Sequence, residues 1–334
     1  MATVLESLNS ALHRALKDDP RVVLMGEDIL DPYGGAFKVT RGLSSEYPDR
    51  VLSTPISEAG MVGLAAGMAL RGLRPVVEIM FGDFLTLAAD PLINSISKFR
   101  WMYDDQVRVP LVLRTPMGGR RGYGPTHSQS LEKLFLGVPG LRVLAPSTLG
   151  DPGRMLYWAI LDQEDPVLFV ENKLLYLAHL LTDQSSPDLA VRQAGSAAEA
   201  PTFVVSIYEA PEPALTIAAY GHMADLARQA LERLAFEDEI FCELVVPTQL
   251  APFRIDPVVE SVRQTGRLLV CEEGGYTLGW GAEVVARCAE ALGPRLKAVQ
   301  RLAALDLPIP SSNVLERAVL PGLEELIQMA KKMV

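Results

Sequence analysis

The sequence predicts an α/β protein of two domains, each a mostly parallel sheet flanked by helices. Short β-branched runs alternate with helical patterns, first from "RVVLMG" to "PVLFVEN" and again from "ALTIAAYG" to "RLLVCEEG". These runs are apolar along their length, as strands covered on both faces are. Between the two series the pattern fades into "TDQSSPDLAVRQAGSAAEAP", rich in Ser, Ala, Pro and acid, which reads as a linker. The expected division is therefore 1–185, a linker over 186–213, and 214–334.

The first series opens with an amphipathic helix, "ATVLESLNSALHRALKDD", whose apolar residues recur at helical spacing. Strands follow at "RVVLMG", "PVVEIMF", "VPLVLRTP", "RVLAPS" and "PVLFVEN", with helices over Glu58–Leu70, Asp90–Tyr103 and Asp151–Asp162. The second series has strands at "ALTIAAYG", "FCELVV" and "RLLVCEEG". Its helices run through Leu234, near Asp256–Gln264, from Ala282, and to the end at Val334. Ligands of such sheets lie beyond the carboxyl ends of the strands.

With 334 residues, 49% of them hydrophobic, the chain can bury a large core. Its net charge of −10 and scattered Lys and Arg exclude a phosphate-backbone binder, so no nucleic-acid partner is expected. Cys242, Cys271 and Cys288 lack metal-ligand spacing and read as reduced core thiols. The longest apolar block, Met61 to Leu70, falls far short of the roughly 20 residues that span a bilayer. No membrane association is expected, and with no signal peptide the reading is cytoplasmic.

"TPISEAGMVG" places one carboxylate at the mouth of an apolar helix. Ser57 is expected to cap it, and Glu58 in its first turn suits the helix dipole. Gly60, Gly63 and Gly67 fall on one helical face, each costing about 1 kcal/mol relative to alanine, which implies a close approach by another helix or a ligand. In such a setting desolvation favours the neutral acid, so Glu58 reads equally as a tuned proton donor. Among the four histidines, His127 stands out, in the glycine-rich loop "MGGRRGYGPTHSQS" after a predicted strand. The alternative for it is a loop histidine bonded to backbone. "GGRRGYG" ends in no GK[ST], "GGYTLGWGAEV" does not fit GxGxxG, and no HExxH or GxSxG is present.

The segments "GEDILDPYGGAFKVTRGL", "TPISEAGMVGLAAGMALRGLRPVVEIMFGDF", "GPTHSQS", "PGLRVLAPST", "DPVLFVENKLLY" and "TGRLLVCEEGG" carry a family resemblance in order along nearly the whole chain. They resemble the beta subunit of the decarboxylating component of 2-oxo acid dehydrogenase complexes, in the transketolase-like, thiamine diphosphate-dependent superfamily. The resemblance implies a pyrimidine-binding domain followed by a transketolase C-terminal-like domain. It makes Glu58 the carboxyl that bonds the cofactor's aminopyrimidine ring, with Ile56, Met80 and Phe84 lining that ring, and His127 the active-site histidine. It further implies decarboxylation of a 2-oxo acid and transfer of the acyl group to a lipoyl carrier on an acyltransferase.

The family's GDG motif, which holds the cofactor diphosphate through magnesium, is absent; the one "GDF" belongs to the aminopyrimidine wall. The resemblance thus implies a separate alpha subunit carrying that motif and the magnesium, in a heterotetramer of two alpha and two beta chains. A weaker match carries over a structural potassium at Leu111, Ala159, Ile160, Asp162 and Asp165, although "LDQED" is longer than the family's stretch. Asp104 and Asp105 stand where the family has a Gly-Gly pair, and "PTQLAPFR" replaces its "LRTLxPxD" pattern. These departures leave two further readings open, an acyloin-forming or acyl-carrier-loading enzyme and a non-catalytic scaffold paralogue.

Overall fold

A computed structural model describes residues 2–181, 186–194 and 199–334. The chain divides into two compact units, Met1–Gly118 with Leu134–Leu180, and Gly119–Lys133 with Leu181–Val334. Each has its own sheet.

In the first unit the strands are β1 (Val22–Gly26), β2 (Val51–Ser53), β3 (Arg74–Glu78), β4 (Val112–Met117), β5 (Arg142–Leu144) and β6 (Val167–Asn172). They lie side by side in the order β5-β6-β4-β3-β1-β2, and every pair is parallel. β1, β3 and β4 are buried at every position, including the charged Arg74 and Glu78 of β3 and Arg114 of β4. The chain leaves β1 for β2 on one side and returns for β3 on the other. That reversal opens a crevice beyond the carboxyl ends of β1 and β3, where an α/β sheet takes its ligand.

Below that crevice the strand ends carry a buried ionic layer. Arg114, 1% exposed, donates from Nε to Glu171 Oε1 at 2.9 Å and from Nη1 to Glu78 Oε2. Tyr176 donates its hydroxyl to Glu171 at 2.6 Å. One guanidinium thus faces two carboxyls. Burial pushes the Glu78 carboxyl above its ordinary value, against the pull of Arg114.

The second unit has β7 (Leu189–Ala194), β8 (Thr202–Ile207), β9 (Leu215–Ala219), β10 (Cys242–Pro247), β11 (Gln249–Ala251), β12 (Arg267–Gly275) and β13 (Ala298–Ala304). Its six-stranded sheet has the order β13-β12-β9-β10-β8-β7, from which β11 is separate. The four strands from β13 to β10 are parallel, and β8 and β7 close the edge antiparallel. All three cysteines are free and buried.

Three expectations are corrected. The stretch read as a linker over 186–213 carries the β7–β8 pair, with residues 195–198 outside the described residues. The segment Gly119–Lys133, placed by sequence in the first domain, groups with the second unit. The helix expected over Asp90–Tyr103 is instead a π-type turn at Pro91–Ile96 and a short helix at Phe99–Met102. Among the described residues no helix is long and apolar enough to cross a membrane.

Candidate active site

Glu58 opens the helix Glu58–Leu70, immediately after β2, and is 4% exposed. Ser57 makes no side-chain cap, contrary to expectation; its carbonyl accepts from the Met61 N–H at 2.8 Å and its hydroxyl lies beside Gly60. The buried face of the helix is Glu58, Met61, Val62, Ala65, Ala66 and Ala69. The opposite face, Gly60, Gly63, Leu64 and Gly67, is exposed. A Cβ added to Gly63 or Gly67 would meet nothing within 4 Å. The close approach expected from three glycines is therefore made by nothing among the described residues of this chain.

Glu27 joins Glu58 at this site and was missed by sequence reasoning. It follows β1 directly, is 6% exposed, and its Oε1 has no hydrogen-bond partner among the described residues. Burial first, and the charge of Glu58 second, raise its carboxyl above the ordinary range. The signal was the acid of "GED", set just past the carboxyl end of a buried strand.

Met80 and Phe84 are half-buried near the end of β3, and Ile56 is 83% exposed just ahead of the helix. Phe84 sits in the turn Gly82–Ala88 and meets Phe81 edge to face at 6.1 Å. That turn hugs β4 so closely that a Cβ on Gly82 would lie 2.2 Å from Met117 Cγ. Only glycine fits there, which fixes where the turn presents Phe84.

His127 lies in the second unit, half-buried, within Gly119–Lys133. Its N–H donates to the Gly124 carbonyl at 3.3 Å, and its Nδ1 lies 2.9 Å from the Thr126 hydroxyl. Glu58 and His127 thus belong to separate units.

The second unit also holds acids that spacing did not reveal. Glu132, 2% exposed, accepts from the Tyr220 hydroxyl, and its Oε2 has no partner among the described residues. Burial pushes its carboxyl up to about 7. Burial likewise holds the His222 imidazole below its usual value, opposed by Glu273.

The Glu132 shift has a sign. A raised carboxyl pKa means that the folded state holds its proton when the unfolded state has lost it. Its contribution is present below about pH 4.5 and lost as pH climbs toward 7. Over that span the loss is about 3 kcal/mol. Glu132→Gln, which cannot ionise, is expected to gain about that much on the parent chain between pH 5 and pH 8 in denaturant titrations. A difference that stays the same at both pH values would contradict it.

Two of the residues matched to potassium are engaged by arginines. Arg74 donates to the Ile160 carbonyl at 2.9 Å, the Gln163 carbonyl at 3.0 Å and Glu164 at 2.7 Å. Arg100 holds Asp165 at 2.8 Å, and Asp162 is exposed. Leu111, Ala159 and Ile160 are core residues. Among the described residues no group of three or more His, Cys, Asp or Glu could hold a metal. Asp104 and Asp105 keep left-handed backbone, with φ of 48° and 61°. Arg100 and Arg108 hold Asp105, and Arg100 above all keeps its carboxyl below the usual range.

The fold and site are those of a two-domain α/β protein, a parallel unit with a buried acid pair at its topological reversal followed by a second α/β unit. Residues 1–178 match the family described as "Transketolase, pyrimidine binding domain", and residues 206–326 match "Transketolase, C-terminal domain". The chain belongs to this family. It is 40% identical over 332 residues to "Pyruvate dehydrogenase E1 component subunit beta-1, mitochondrial" of Oryza sativa subsp. japonica, covering 99% of this chain and 86% of that one. The Rickettsia bellii "Pyruvate dehydrogenase E1 component subunit beta" is 35% identical, covering 99% and 98%. "Acetoin:2,6-dichlorophenolindophenol oxidoreductase subunit beta" of Cupriavidus necator is 33% identical, covering 98% and 95%. Among solved structures, "Split gene transketolase, inactive beta4 tetramer" superposes with a TM-score of 0.75 at 20% identity, covering 100% and 98%, a likeness of fold.

Proposed function

We propose that this chain is the beta subunit of a thiamine diphosphate-dependent 2-oxo acid dehydrogenase, working with an alpha subunit. The observation that carries this reading is the carboxyl of Glu58, buried at the crevice beyond β1 and β3 with Glu27 as its electrostatic neighbour. The orphaned Glu27 Oε1 and the half-buried Met80 and Phe84 fit a flat, nitrogen-bearing ring. When bound, thiamine diphosphate supplies an acceptor for the electron pair left behind as carbon dioxide departs a 2-oxo acid.

This chain's residues do the rest. Glu58 would hold the ring by its carboxyl and would take up and release a proton there. Glu27, its carboxyl raised above the ordinary range by burial and then by the charge of Glu58, is the electrostatic neighbour that Glu58 works against. Met80, Phe84 and Ile56 cover the ring and exclude water, which strengthens each polar interaction inside. His127 orients the substrate and the acyl group on its way to a lipoyl arm of an acyltransferase.

The alpha subunit carries the GDG motif, the magnesium and the diphosphate grip, in an assembly of two alpha and two beta chains. What supports a second chain is the exposed glycine face of the Glu58 helix, open to a close-packed neighbour. By itself the chain is expected to hold thiamine diphosphate weakly and to release no carbon dioxide from a 2-oxo acid. Calorimetry and a decarboxylation assay, each run with and without the GDG-bearing chain, test this. Robust decarboxylation by the chain alone would contradict the half-site.

A further inference from the structure

The loop that carries His127 is held by carboxylates from distant parts of the second unit. At its start the Gly119 N–H donates to Glu273 Oε1 at 2.8 Å. The next donors go to Glu316: the Arg120 N–H to Oε1 at 2.7 Å and the Gly122 N–H to Oε2 at 3.1 Å. Glu316 lies on the short helix Asn313–Val319 and is 2% exposed. Both of its oxygens therefore engage peptide groups of one loop, in charge-assisted bonds that offset the burial of the carboxylate.

The backbone of the loop is also forced. Arg120 sits at a φ of 68°, a left-handed conformation that a residue with a side chain holds only where its surroundings over-determine it. Its guanidinium donates to the Pro321 carbonyl and lies 3.6 Å from Glu273. A Cβ on Gly119 would stand 2.5 Å from Leu320 Cδ1, so the loop lies flush against that helix end. At the far end of the loop Lys133 donates to the Thr277 carbonyl at 2.8 Å. The span between the two anchors bears His127.

From this geometry we infer that Glu316 is a positioning residue for His127, fixing the histidine loop through two peptide N–H groups without touching substrate. The inference rests on the reading that His127 acts on the substrate. Its range is long: 189 positions of chain separate a carboxylate near the carboxyl terminus from the imidazole it sets in place.

The test uses the chain reconstituted with its alpha subunit, as Glu316→Ala, Glu316→Gln, His127→Ala and the double variant. A misplaced catalytic group loses rate on the order of a hundredfold for an ångström of displacement. Glu316→Ala is accordingly expected to lower kcat by about tenfold to a hundredfold with KM little changed. Glu316→Gln, which keeps one acceptor oxygen, recovers part of that loss and serves if the alanine variant does not fold. Trypsin cleavage after Arg120 and Arg121 is expected to speed up about tenfold in Glu316→Ala, because local opening sets the cleavage rate. It should not change in His127→Ala. Adding Glu316→Ala to His127→Ala should cost no further kcat, since Glu316 works through the imidazole. Losses that multiply in the double variant, or unchanged trypsin rates, overturn the inference. Unchanged turnover in His127→Ala removes the substrate role of the histidine, while the trypsin rates still decide whether Glu316 holds the loop.

Discussion

Glu58→Gln is expected to lower single-turnover decarboxylation by the assembled enzyme by about a hundredfold or more, the range that a positioned general acid-base group contributes. The amide keeps the shape and one acceptor oxygen of the carboxyl, so the ring still finds a partner. It cannot take up or release the proton. Stability should not fall with activity, because Glu27 loses a like-charged neighbour whose field raises its carboxyl. The variant should therefore unfold at the parental denaturant midpoint or above it at pH 8. Rapid-quench measurement of carbon dioxide release, beside an unfolding curve, separates the two effects. A rate equal to that of the parent would remove Glu58 from the mechanism.

Arg114→Met should cause the largest loss of stability, about 3–5 kcal/mol at neutral pH, the typical result of removing one partner from a buried ion pair. Here the guanidinium faces two carboxyls, Glu78 and Glu171, both nearly sealed from solvent. Without it, two acids share a dry pocket with the Tyr176 hydroxyl as the remaining donor to Glu171. The Glu78 carboxyl, already raised by burial, then loses the opposing pull of Arg114 and rises further, so stability is retained at low pH and lost as pH climbs. The deficit against the parent chain should be larger at pH 8 than at pH 5. Urea titrations at the two pH values measure it, and a deficit below about 1 kcal/mol at pH 8 would show that the layer relaxes to admit water.

The inner strands of the first sheet were legible because they are buried, whereas the edge strand β2, exposed at Leu52 and Ser53, was not named. "RVVLMG", "VPLVLRTP" and "PVLFVEN" announce themselves by β-branched, mostly apolar stretches, and the structure puts β1, β4 and β6 there. The edge strand β7 was not legible. "LAVRQA" is exposed or half-exposed over most of its length, so no burial pattern distinguishes it from a linker of the same composition. The helix expected from Asp90 to Tyr103 failed because the chain winds into a wider π-type turn over Pro91–Ile96 before the short helix Phe99–Met102, and Pro91, at the first position, is tolerated and gives no warning.

The candidate site divides the same way. Glu58 was legible from a lone acid at the head of a glycine-lined apolar helix, and His127 from a glycine-rich loop after a strand. Glu27 carried a weak local signal, an acid just past a strand. Glu132, Glu273 and Glu316 carried none. Each acts across more than eighty positions of chain, on Tyr220 or on main-chain donors that have no side-chain identity to pair with.

The bare glycine ridge on the Glu58 helix bears on how this protein can be engineered. Within the chain, alanine at Gly63 or Gly67 meets no obstacle, and helix propensity rewards it by about 1 kcal/mol per site. A thermostability screen run on the lone polypeptide would therefore enrich alanines along that ridge. The winners would be sturdier orphans, their extra methyl groups set on the very face proposed to receive the alpha subunit.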